Sequence, residues 1–81
     1  MRLDKFLKVT RIIKRRTVAK ELADNGNIKG KEKEKKSSYA VKMDDILDIK
    51  FFNKNIKIRV KDVPSENLRK DDIEQYIEVV N

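Results

Sequence analysis

Eight basic side chains, Arg2, Lys5, Lys8, Arg11, Lys14, Arg15, Arg16 and Lys20, fall within the first twenty residues, against the single acid Asp4. Residues 21–81 hold thirteen basic and thirteen acidic side chains, so the whole formal excess of +7 sits on the leading quarter of the chain. Guanidinium and ammonium groups at that density suit phosphate: they attract a polyanion and displace its counterions on contact. Other chemistries lack their groups. The chain has no histidine and no cysteine, which removes the commonest general base, the commonest metal ligand and any thiolate or disulfide. The carboxylate pairs Asp44-Asp45 and Asp71-Asp72 stand near predicted element ends with no histidine to orient. Turn formation and solubility account for them better than catalysis does. No catalytic residue, metal site or cofactor is therefore expected, and a nucleic-acid-binding module is favoured over an enzyme.

Those cations need elements to position them. Leu3, Phe6, Leu7, Thr10 and Ile13 recur at steps of three and four, which predicts an amphipathic helix over residues 2–13. Arg2, Lys5, Lys8 and Arg11 advance by threes around its other side. A merely solvated helix face usually mixes signs, whereas this one sets four bases against one acid. Lys14-Arg15-Arg16 forms a basic corner, and the Thr17 hydroxyl is suited to cap a second helix. Val18, Ala19, Leu22 and Ala23 make that helix's inner stripe, with Lys20, Glu21 and Asp24 facing out. Asn25-Gly26 ends it, glycine supplying the left-handed conformation of a helix C-terminus. Cations at a helix entrance add to its free amides and positive dipole end, a combination that suits a phosphate. The plainer reading, that Lys14 to Arg16 only keep a turn soluble, leaves the repulsion among three adjacent cations without an offset.

Residues 27–38, with their Lys/Glu alternation, offer no apolar face beyond Ile28 and read as a mobile loop. Leu47, Ile49 and Phe51 then alternate with Asp48, Lys50 and Phe52. After a turn at Asn53-Lys54-Asn55, Ile56, Ile58 and Val60 alternate with Lys57, Arg59 and Lys61. Two such runs around a short Asn-containing turn predict a β-hairpin with one face on the helices and a solvated face outside. Pro64 and Ser65 break the sheet. A short helix is expected over Glu66 to Gln75, with Leu68 and Ile73 as anchors. Tyr76, Ile77, Val79 and Val80 suit a last edge strand, with a continuous helix to residue 80 as the competing assignment. The 81 residues make one domain, a core module over 1–61 and a C-terminal extension over 62–81, without internal repeats or an interdomain linker.

The pattern Arg16-Thr17-Val18-Ala19, then Leu22, Gly26 and Ile28, resembles the signature of the S-four RNA-binding domain, the module first recognised in small-subunit ribosomal protein four. The opening Met1-Arg2-Leu3-Asp4-Lys5-Phe6-Leu7, with Lys14-Arg15-Arg16, is similar to the family's small stand-alone members. These are the heat-shock-type ribosome-binding proteins and the factors of bacterial ribosome-associated quality control. The resemblance implies an α+β class α-L fold: two N-terminal helices packed on a small, mostly antiparallel sheet, with a short C-terminal helix and edge strand. It implies binding to rRNA and tRNA on the large ribosomal subunit when a peptidyl-tRNA is stranded there, in company with a factor that tails the stalled peptide with alanine. Arg2 and Arg16 match the family's main RNA-contacting arginines, and Lys5, Arg11, Lys14, Arg15 and Lys20 its surrounding basic surface. Two departures stand out. Gly30, Lys31 and Glu32 occupy places where the family has valine and then Asn-Gly, and Asp44 stands where it favours glycine.

Read without that resemblance, Arg2, Lys5, Lys8, Arg11, Lys14, Arg15, Arg16, Thr17 and Lys20 form a surface that positions phosphates without specifying bases. No exposed aromatic residue is expected near the basic corner, so base stacking of single strands is not favoured and shape reading of a folded RNA is. The rivals are a general rRNA- or tRNA-binding or assembly factor, a membrane or acidic-partner adaptor, and a DNA-binding regulator. The last lacks a helix with the Asn/Gln/Arg mixture of major-groove readout. A cytoplasmic monomer that does not engage a membrane is expected.

Overall fold

The computed structural model describes residues 1–65 and 70–80. Two helices, α1 (Leu3–Val9) and α2 (Arg16–Asp24), precede five strands: β1 (Ile28–Gly30), β2 (Lys33–Glu34), β3 (Ile46–Phe51), β4 (Lys54–Val60) and β5 (Ile77–Val79). The strands form one antiparallel sheet in the order β2-β1-β3-β4-β5. A 3₁₀ helix, Lys70–Gln75, leads into β5. The α+β class and the edge strand agree with the sequence, and a helix does not continue to residue 80. The expected helix over 66–75 appears as that 3₁₀ helix; Leu68 lies outside the described residues.

Packing follows the two periodicities. Leu3, Phe6 and Leu7 from α1 and Ala19 and Ala23 from α2 meet Ile28, Leu47, Ile49, Ile58 and Val60 from the sheet, all of them buried. The register sets Leu47 opposite Ile58, and Ile49 between Ile28 and Ile56. Each large aliphatic side chain so buried contributes about 1.5–3 kcal/mol. Truncating Phe6, the largest fully buried side chain, would cost about 3–5 kcal/mol, a large share of a small domain's stability.

The helix ends differ from expectation. Helix α1 stops at Val9, four residues early, because Arg11 turns left-handed (φ 61°). The amide of Arg11 returns to the Lys8 carbonyl at 3.1 Å, and that of Ile13 to the Leu7 carbonyl at 3.2 Å. Ile13 therefore reaches the core from outside the helix. Thr10 donates its hydroxyl to the Phe6 carbonyl at 2.7 Å, which satisfies the last turn. Thr17 is not a cap: α2 already begins at Arg16, and its N-cap Arg15 makes no side-chain cap bond. At the other end Gly26 (φ 82°) donates to the Ala23 carbonyl and Asn27 to that of Leu22, the Schellman arrangement.

Residues 28–34 are a hairpin, not the expected mobile loop. The strands β1 and β2 turn through Lys31 (φ 52°) and Glu32 (φ 67°), the positive pair of a type I′ turn made without glycine. Pairing of β1 with β3 supplies the support that the local sequence lacks. The main hairpin also turns one residue earlier than expected, at Phe52-Asn53, so that Lys54 pairs with Phe51 and Asn55 with Lys50. Asp44, which stands where the resembling family favours glycine, is left-handed (φ 70°). Its neighbour Asp45 ties the approach to β3 by accepting from the Tyr39 hydroxyl at 2.6 Å and the Lys42 amide at 2.9 Å. Burial of the Tyr39 phenol, then that bond to Asp45, pushes its pKa up to about 12.

Residues 37–41 lace the N-terminus to the body. Leu3 donates to the Tyr39 carbonyl at 2.8 Å, Asp4 to that of Ser37 at 3.2 Å, and Val41 to that of Met1 at 2.9 Å.

Candidate nucleic-acid interface

The lone acid of the cationic quarter organises it. Asp4 lies in the first turn of α1 with its side chain 3% exposed, between two arginines whose side chains are each 48% exposed. Arg2 Nε donates to Asp4 Oδ1 at 3.2 Å and Arg2 Nη2 to Oδ2 at 3.4 Å. Arg16 Nε, from the start of α2, stands 3.4 Å from Oδ2. The Lys5 amide donates to Oδ1 at 2.8 Å. One buried carboxylate thus fixes an inner edge of both guanidiniums and leaves their other N–H groups facing out. Two charges converge on one, so the cluster keeps a net positive charge. Composition alone shows Asp4 only as the exception in a basic segment; its isolation among eight cations is the signal that it does something different.

Arg2, Asp4, Arg16, Thr17 and Lys20 line one cleft of about 320 Å³. The uncapped first turn of α2 contributes Arg16 and Thr17, so free backbone amides add to the side-chain donors. Lys20 is held on the same helix by Asp24 at 3.4 Å. Asp24 in turn accepts from the Ser37 amide at 2.9 Å and the Ser37 hydroxyl at 3.0 Å. The bonds from Ser37, first its amide and then its hydroxyl, with Lys20 adding to them, hold the Asp24 carboxyl below its ordinary value.

The other predicted site residues divide. Arg11, Lys14 and Arg15 line a second cleft with Ile12, Ile13, Val18, Phe51 and Phe52. Lys5 and Lys8 line neither cleft. The expectation that no exposed aromatic stands near the basic corner is wrong: Phe52 shares that cleft and is 85% exposed. The early hairpin turn carries it there, and a strand register one residue off conceals it in the sequence.

The surface is electrically separate from the sheet. Among the described residues, the ion pairs of the leading quarter run to Asp4 and Asp24, while Arg59 pairs with Asp44 at 2.9 Å and Glu78 at 3.1 Å. Lys5, Lys8, Arg11, Lys14 and Arg15 have no carboxylate partner among the described residues. No described helix is long and apolar enough to cross a membrane. Such an arrangement can bind several phosphates at fixed spacing and offers no nucleophile–base pair.

No protein-family model matches the chain. Curated proteins named RQC P-site tRNA stabilizing factor match over almost its whole length, three of them as follows. That of Streptococcus pneumoniae is 46% identical over 81 residues, covering 100% of this chain and 91% of its own. The Bacillus subtilis protein is 42% identical over 76 residues, covering 94% and 88%. The Halalkalibacterium halodurans protein is 43% identical over 79 residues, covering 98% and 89%. Among solved structures, the trimeric structure of Vibrio cholerae heat shock protein 15 superposes with a TM-score of 0.89 at 19% identity, covering 99% of this chain and 81% of that one. The solution structure of a hypothetical protein, HP1423, gives 0.84 at 24% identity, covering 100% and 98%. The fold is therefore one that very different sequences adopt.

Proposed function

The chain belongs to the family of RQC P-site tRNA stabilizing factors, and from that premise we propose that it binds rRNA and tRNA on the large ribosomal subunit and steadies a stranded P-site peptidyl-tRNA there during ribosome-associated quality control. The observation that carries the reading is the Arg2–Asp4–Arg16 cluster, in which a buried carboxylate presents two half-exposed guanidiniums from the entrances of two helices. Guanidiniums held in this way suit phosphates of a folded RNA, whose grooves are read through backbone and 2′-hydroxyl contacts. Lys20 and the first-turn amides of α2 extend the same surface, and Lys5, Lys8, Arg11, Lys14 and Arg15 add to its field. The role is one of binding, without catalysis, by a cytoplasmic monomer acting beside the factor that tails the stalled peptide.

Cosedimentation with large subunits carrying a peptidyl-tRNA tests it. Arg16→Ala weakens binding by about tenfold or more and lowers the salt dependence by about one phosphate contact. The domain stays folded, since Asp4 keeps Arg2 and the Lys5 amide. Unchanged cosedimentation of a folded variant removes Arg16 from the interface.

A further inference from the structure

The cleft between the basic corner and the tip of the β3–β4 hairpin calls for a different ligand from the arginine cluster. We propose that it seats one unstacked nucleobase of the bound RNA, with the Phe52 ring against the base face and Arg11, Lys14 and Arg15 on the flanking phosphates. The inference rests on the RNA-binding reading above and extends it from shape recognition to a single base.

Five observations converge. Phe52 is 85% exposed, and its ring meets that of Phe51 at 4.5 Å between centroids with the planes tilted by 43°, which leaves a broad apolar face uncovered. Phe52 is also left-handed (φ 54°), alone of the two turn residues, at a position where such a turn ordinarily has glycine. A bulky aromatic there is unfavourable for the backbone and unfavourable for solvation, and neither turn chemistry nor core packing asks for it. Such residues cluster at ligand sites. Arg11, a second left-handed non-glycine residue, lines the same cleft. The floor, from Ile12, Val18 and Phe51, is apolar, while the three cations of the rim have no carboxylate partner among the described residues. The cleft measures about 450 Å³, inside the about 300–1,000 Å³ range of small-ligand sites. An apolar slot with a purely cationic rim is complementary to a nucleotide, which has a flat π-face and an anionic backbone, more than to an acidic peptide, which brings no flat face.

The test compares two RNA hairpins, one whose stem carries a single unpaired adenosine and the same stem fully paired, by fluorescence anisotropy with the whole chain. The wild type prefers the bulged stem by about tenfold, the increment of one base stacked on an aromatic ring. Phe52→Ala, and Phe52→Asn, whose side chain suits the left-handed turn position, abolish the preference and leave the paired stem bound as before, whereas Phe52→Tyr retains it. Arg16→Ala weakens both RNAs equally. Equal wild-type affinity for both stems, still dependent on Arg16, overturns the base slot and leaves the RNA-binding reading standing. Binding to neither stem overturns both. A preference that survives Phe52→Ala, or Phe52 variants that change only binding to a protein partner, overturns the slot in favour of another occupant.

Discussion

Asp4→Asn pits two effects of opposite sign against each other, and the geometry of the arginine cluster decides between them. The substitution keeps the side-chain volume and an acceptor for the Lys5 amide, but deletes the charge that holds Arg2 and Arg16. If Asp4 merely subtracted from a cationic surface, its removal would strengthen RNA binding. A unit pair at ~7 Å in water is worth about 0.6 kcal/mol, and a Debye length of ~8–10 Å roughly halves that, so the gain is about twofold per nearby phosphate. Releasing the arginines acts the other way. Each rotamer-rich side chain immobilised on binding costs about 0.5–1.5 kcal/mol, so two cost roughly 1–3 kcal/mol, equivalent to about 5- to 150-fold. Positioning wins, and Asp4→Asn weakens RNA binding by about tenfold despite the added positive charge. Stability falls by about 1–3 kcal/mol, the usual effect of breaking a buried charge-assisted network. Fluorescence anisotropy against an RNA hairpin over a salt series, with urea denaturation to confirm folding, measures both. Tighter binding with a steeper salt slope would refute the positioning argument.

Two further outcomes concern the body of the domain. Glu32→Gly stabilises it by about 0.5–1 kcal/mol in urea denaturation, because glycine relieves a left-handed residue at a type I′ turn position; a loss of stability would mean that Glu32 serves the turn in another way. The depressed Asp24 carboxyl contributes stability that is fully present above its ordinary value of 3.8 and is lost as the pH falls through its lower native value. Asp24→Asn is therefore less stable than the wild type at neutral pH, and the gap closes in acid; a gap independent of pH would show that the Ser37 bonds do not depend on the charge.

Local signals carried much of this fold into the sequence. The three-and-four spacing of Leu3, Phe6 and Leu7, the Asn25-Gly26 stop and the alternation around Leu47 and Ile58 each act over a few residues, and each appears where its pattern puts it. The misreadings involve distant partners. Nothing near Arg11 marks a helix end, since that end depends on Ile13 packing into the core. The Lys/Glu run after Ile28 becomes a hairpin because β3 offers it an edge. The cationic surface was legible as charge, and among the described residues its ion pairs run to Asp4 and Asp24 rather than to acids of the sheet. Its internal order was not legible, because burial of Asp4 depends on α1 and α2 meeting. The aromatic of the second cleft was hidden by a one-residue shift in the turn.

The lacing of the N-terminus to residues 37–41 has a consequence for any attempt to work with the leading quarter in isolation. A peptide of residues 1–26 would carry eight basic side chains against three acids, a net +5 of the protein's +7, yet it would lack the Ser37 and Tyr39 carbonyls that anchor Asp4 and Leu3. It would behave as a polycation, sticky and indiscriminate. The same holds during synthesis: these arginines emerge before residues 37–41, and their spacing waits for that later segment.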